Sequence, residues 1–132
     1  SADGTLQQMK NSGSIRLVRN QQIVQRIIAY DVTYHAYLRQ LQVETELVTD
    51  YRSLAAKVFD AKVFQTVSST NLTFKPSGNP ALFDHSPSAI NEISNRLNYL
   101  MGSQFRLNQL LDELNMKAID LVALIKKEYK IK

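Results

Sequence analysis

The sequence predicts an all-α fold, a long antiparallel helical hairpin or a four-helix bundle. Apolar residues recur in steps of three and four through both halves of the chain. The breakers are few and clustered, because two of the three Pro and one of the four Gly fall between Pro76 and Pro80. The 132 residues, 44% hydrophobic and 21% charged, are enough for a single domain with a core of its own. We therefore expect one helical domain over residues 1–132, with a loop over about 68–87.

The second half is the more regular. Ile90, Ile93, Leu97, Leu100, Gln104, Leu107, Leu111, Leu114, Ala118, Leu121 and Ile125 form a nearly complete heptad series with Gln104 as its one polar entry. Ser86-Pro87-Ser88 is a start signal: Ser supplies a capping oxygen, and Pro fits a first turn where no N–H is needed. Lys126, Lys127 and Lys130 suit the negative end of the helix dipole. The spacing predicts one helix from about 88 to 129, roughly 60 Å long at 1.5 Å per residue. Gly102-Ser103 is a place for a bend or a reversal, although the heptad phase runs through it.

In the first half Leu17, Val24, Ile27, Tyr34, Leu38, Leu41 and Val48 keep the same spacing, interrupted by Asn20, Asp31 and Thr45. After Val48 the stripe moves to Tyr51, Leu54, Ala55, Val58 and Phe59. Either a new helix starts near Thr49-Asp50 or the buried face drifts. Neither Pro nor Gly stands between Gly13 and Pro76, so no break is forced. From Ser68 to Ser86 turn formers dominate, and Phe74, Leu82 and Phe83 predict a loop that packs back on the helices.

Candidate chemistry is sparse. Without cysteine there is neither a disulfide nor a thiolate metal site. His35 and His85 lack a second ligand one helical turn away, so no metal site is expected. Asp84-His85-Ser86 holds the residue types of a hydrolytic triad, but neighbours in sequence cannot converge as that relay requires, and turn or capping duty is expected instead. No enzyme activity and no cofactor follow from any motif. Asn71-Leu72-Thr73 is a glycosylation sequon that chance explains. The net charge of +4 is small, and no interleaved aromatics or nucleic-acid motif accompany it, so nucleic acid is not an expected partner.

The arginines stand out. Arg16, Arg19 and Arg26 lie in a stretch without acids and, on one helix, would share a face beside the Leu17/Val24/Ile27 seam. A guanidinium forks onto planar anions, so a small anion or a partner's carboxylates could be held there. Around them, Ser12-Gly13-Ser14-Ile15-Arg16-Leu17 resembles the box near the start of the first periplasmic helix of nitrate/nitrite sensor kinases and pilus-type chemoreceptors, where the pattern reads like AGSLRM. Lys10 and Val18-Arg19 depart from that pattern. The resemblance implies a helical bundle between two membrane spans that dimerises, with Arg16 as anion ligand and Gly13 permitting close helix approach.

The expected function is accordingly an extracytoplasmic sensor domain of a bacterial receptor, a histidine kinase or chemoreceptor, signalling by helix movement. A homodimer would cover the apolar surface two long helices leave open. No apolar run in the chain is long enough to span a membrane, and the start at Ser-Ala-Asp-Gly suggests a piece of a membrane-anchored, periplasmic or extracellular parent. The Lys126–Lys132 cluster runs against that placement, since positive charge is favoured on the cytoplasmic side. The rival reading is a helical interaction or scaffolding module that docks a partner protein along its seam.

Overall fold

A computed structural model of the chain describes residues 2–67 and 73–131, leaving out the side chains of residues 2, 3, 5–7 and 16. The chain is 81% helical, and no strand forms among the described residues. The helices are α1 (Ala2–Asn11), a 3-10 turn (Ser14–Leu17), α2 (Gln21–Val58), α3 (Ala61–Val67) and α4 (Pro87–Tyr129). The two long helices, α2 and α4, pack on each other. Both run through two compact units, one of residues 1–39 with 108–132 and one of residues 40–107.

Local chemistry sets each helix end. Gly13 ends α1 with φ 71°, a left-handed conformation in which an L side chain is strained. Asn20 starts α2, its Oδ1 accepting the backbone N–H of Gln22 at 2.9 Å. Asp60 does the same for α3, receiving the N–H groups of Lys62 at 2.7 Å and Val63 at 3.4 Å. At α4, Ser86 Oγ accepts the N–H of Ala89 at 3.3 Å, and Pro87 occupies the first helical position as expected. The return loop is tied to the end of α2, where the carbonyl of Val58 accepts Phe83 N–H at 2.9 Å and Asp84 N–H at 3.3 Å. Those bonds occupy one of the carbonyls that a helix end leaves without an intrahelical partner.

In the first unit the leading part of α2 and the trailing part of α4 run antiparallel, because Asn20 meets Glu128, Arg26 meets Asp120 and Thr33 meets Glu113. Among its described side chains, Ile23, Leu110 and Leu114 are the buried apolar ones. In the second unit Gln40 meets Ser103 and the buried apolar residues are Val58, Ile93 and Leu107. Each such side chain contributes roughly 1.5–3 kcal/mol when fully buried. Among the described residues none of the large side chains falls below 2% exposure, so both cores are thin.

Two expectations need correction, and two open alternatives resolve. The first half is not continuous from Leu17: residues 12–20 are a turn, a 3-10 turn and a non-helical stretch with a bend at Arg19, and Leu17 is 81% exposed. The stripe shift after Val48 is drift of a continuous helix, since α2 passes through Thr49-Asp50 and ends at Val58. Gly102-Ser103 lies within unbroken α4. The buried face of α4 is turned by one residue from the expected heptad: Ile93, Leu107 and Leu114 are buried as expected, but Ser103 and Leu110 join them while Leu97, Gln104 and Leu111 are exposed. The reason is local. The small Ser103 hydroxyl sits where Gln40 and Glu44 of α2 can both reach it, and Leu110 follows one heptad later on the same row.

Candidate functional site

The expected site residues lie around the joint between α1 and α2. Gly13 carries its positive φ there, and a Cβ built on it would meet nothing within 4 Å, so within this chain the glycine serves a turn and not a close helix approach. Ser12 and Ser14 share a hydroxyl–hydroxyl hydrogen bond at 2.6 Å across it. Arg16 belongs to the 3-10 turn, and its side chain lies outside the described residues. Arg19 is exposed, at a bend just before Asn20. Arg26 is on α2, where it pairs with Asp120 at 3.1 Å and both side chains are about half exposed or more. The three arginines thus do not share a helical face: the backbone leaves the helix between them. Asn71 of the sequon lies outside the described residues.

The structure instead gathers polar side chains into three clusters, and of their members the sequence pattern marks only Asp31 as an interruption of a stripe. At the first, Asp31 of α2 is only 5% exposed, bonded by Lys10 of α1 through Oδ2 and approached by His35 Nε2 at 3.6 Å on Oδ1. That Oδ1 atom is buried and has no hydrogen-bond partner. A buried carboxylate is costly unless paired, so Lys10 holds α1 to α2 through charge. At the second, Lys117 donates to Thr33 Oγ1 at 2.6 Å and to Glu113 at 2.5 Å, and the Thr33 hydroxyl lies 3.2 Å from both Ala29 O and Glu113 Oε1. Thr33 is buried, so its oxygen needs these partners. At the third, the buried Ser103 hydroxyl accepts from Gln40 Nε2 at 3.0 Å and donates to Glu44 at 2.5 Å.

None of these clusters resembles a reaction centre. A nucleophile, a base and an orienting group do not converge, and no group of three or more metal-ligating side chains occurs among the described residues. Asp84 and Ser86 do turn and capping work: Ser86 N–H donates to Asp84 Oδ1 at 2.9 Å while Ser86 caps α4. That backbone bond, followed by one from the Ser86 hydroxyl, holds the Asp84 carboxyl below its ordinary value. Elsewhere, the end of α2 and α3 enclose an apolar hollow lined by Arg52, Ala55, Ala56, Phe59, Ala61 and Phe64.

No family model, no curated protein and no solved structure matches the chain. The fold and the clusters define an all-α protein whose long helices are paired through a thin apolar core and repeated polar straps. No described helix is long and apolar enough to cross a membrane.

Proposed function

We propose that the chain is the ligand-sensing helical domain of a bacterial membrane receptor, lying outside the cytoplasm, acting as a homodimer and signalling by small shifts of α4 against α2. The observation that supports this reading is the character of the helix pairing. Within each unit few apolar side chains are deeply buried, and polar groups that can exchange partners with each other or with water span the seam. A well-packed apolar interface resists sliding because its side chains interlock, whereas these straps offer alternative partners at small displacement. The resemblance of Ser12–Leu17 to the sensor box supplies the ligand residue, Arg16, with Gly13 shaping its turn and Arg19 as a second cation nearby.

The second reading, a helical module that docks a partner protein, draws support from the apolar side chains in water: Met116, Ile119 and Val122 in the first unit, Met101 and Phe105 in the second. One experiment separates the two. Thermal unfolding is followed while nitrate, nitrite, sulfate or chloride is titrated at constant ionic strength, so that general screening stays fixed. The sensor reading expects one anion to raise the midpoint and Arg16→Ala to abolish that rise, with Arg19→Ala weakening it less. A flat response to every anion sinks the anion-sensing reading and leaves the docking module.

A further inference from the structure

We infer that the end of α2 together with α3 forms a binding site for a hydrophobic monocarboxylate, independent of any anion held at Arg16. The hollow there has a volume of about 400 Å³, within the roughly 300–1,000 Å³ range of small-molecule sites. Its shape follows from residue size. Ala55 and Ala56 on the last turns of α2 and Ala61 at the start of α3 leave a recess, and Phe59 and Phe64 supply its large apolar walls. The connection stays tight because Asp60 caps α3 directly after Phe59, and Phe64 N–H bonds the Asp60 carbonyl at 2.9 Å.

Three observations favour a ligand over a plain surface dent. First, α3 has no buried residue at all, so Phe64, 55% exposed, stays in water although it stands beside apolar neighbours. Second, Phe59 and Phe64 also line an adjoining apolar hollow of about 320 Å³ with Tyr51, Val63 and Phe74, so both phenyl rings border two recesses. An occupant would desolvate them at roughly 25 cal/mol per Å² of apolar surface covered. Third, Arg52 is the one charged lining residue, and among the described residues it has neither an ion pair nor a hydrogen bond. An unpaired guanidinium beside an apolar recess matches a ligand with an apolar body and one carboxylate, which it can hold bidentately. Asp60, the acid at the turn between α2 and α3, is engaged with the α3 backbone.

The test uses 2-naphthoate and decanoate as probes and 2-naphthamide as the uncharged control. Calorimetry gives affinity, and spectra of alanine-methyl-labelled protein locate the site. The expected result is binding of at least one acid with shifts at Ala55, Ala56 and Ala61 and none at Ala118 or Ala123. The amide and the Arg52→Gln variant should each bind about tenfold more weakly, the loss of one exposed charge-assisted contact. Ala56→Trp, which fills the recess, should abolish binding while far-UV circular dichroism keeps its helical signal. Should that variant misfold, the methyl shifts and Arg52→Gln decide alone. No binding of either acid, equal binding of the amide, or shifts spread away from the three alanines would overturn the site. So would sedimentation in which Ala56→Trp splits a dimer that neither acid perturbs, since the recess would then belong to a second copy of the chain.

Discussion

The two units use the same pair of helices and hold them by different means. In the first, cations reach across the pair: Arg26 of α2 pairs with Asp120 of α4, and Lys117 of α4 donates to Thr33 of α2, while Lys10 ties α1 to Asp31. In the second, the strap across the seam is an amide, a hydroxyl and a carboxylate, Gln40, Ser103 and Glu44. Among the described residues, three buried apolar side chains serve each. The difference teaches that helix pairing of one kind in sequence can answer to different conditions along its length. Salt weakens exposed ion pairs and leaves a buried hydroxyl contact nearly untouched, so the first unit should loosen first as ionic strength rises.

Four variants sharpen that contrast. The largest effect is expected where both units depend on the same thing, apolar burial. Leu110→Ala, at a residue 3% exposed, should lower stability by about 2–5 kcal/mol in denaturant unfolding. A loss below about 1 kcal/mol would mean that the core is already loose. Ser103→Ala removes the shared partner of Gln40 and Glu44 and should cost about 1–3 kcal/mol. That loss should be the same at low and high salt; a strong salt dependence would erase the distinction between the units. Arg26→Ala breaks a pair whose side chains are 48% and 68% exposed, so the loss should stay below about 1 kcal/mol and vanish at high salt.

The smallest effect concerns acid. Asp84 has its folded value lowered by the Ser86 N–H, so its contribution is present above the ordinary carboxylate range and is lost as pH falls through the lowered value. Asp84→Asn should therefore flatten the acid side of a midpoint-against-pH curve and leave the midpoint's change with pH near neutrality as it was. An unchanged acid slope would show that the capping bond does not survive in solution.

How much of this was legible in the sequence depends on what each signal encodes. The limits of α4 were readable because Ser86 and Pro87 mark a start by their own chemistry, a capping oxygen and a missing N–H. The joint after α1 was harder. Leu17, Val24 and Ile27 keep helical spacing across a stretch where the backbone leaves the helix, and spacing carries no information about φ. Gly13 and Asn20 carried that information, as a left-handed stop and a cap, but each was read for another role. Asp60 was likewise eclipsed by Thr49-Asp50, an equally good capping pair that α2 runs straight through.

The face of α4 was half legible. Ile93, Leu107 and Leu114 belong to both the expected and the observed stripe, and only the row beside them had to be chosen. Hydrophobicity favours Leu97 and Leu111 over Ser103, yet the hydroxyl is buried because two α2 side chains converge on it. That convergence is a property of the pair of helices and not of either alone. The recess at α3 left no residue-type signal either: three alanines, two phenylalanines and an arginine are ordinary until the Asp60 turn brings them to one place. The anion box remains a matter of six residues, and its arginine side chain lies outside the described part.

The joint between Gly13 and Asn20 has one more consequence, for a protease. Proteases bind substrate in extended form, and exposed, non-helical backbone is where they cut first. Arg19 is exposed and non-helical, with a helix on either side of the joint. Trypsin acting there would release α1 and with it Lys10, the cation on the buried Asp31 carboxylate. A single nick would thus cut a peptide bond and at the same stroke strand a charge in the first unit, leaving the His35 imidazole 3.6 Å from its Oδ1.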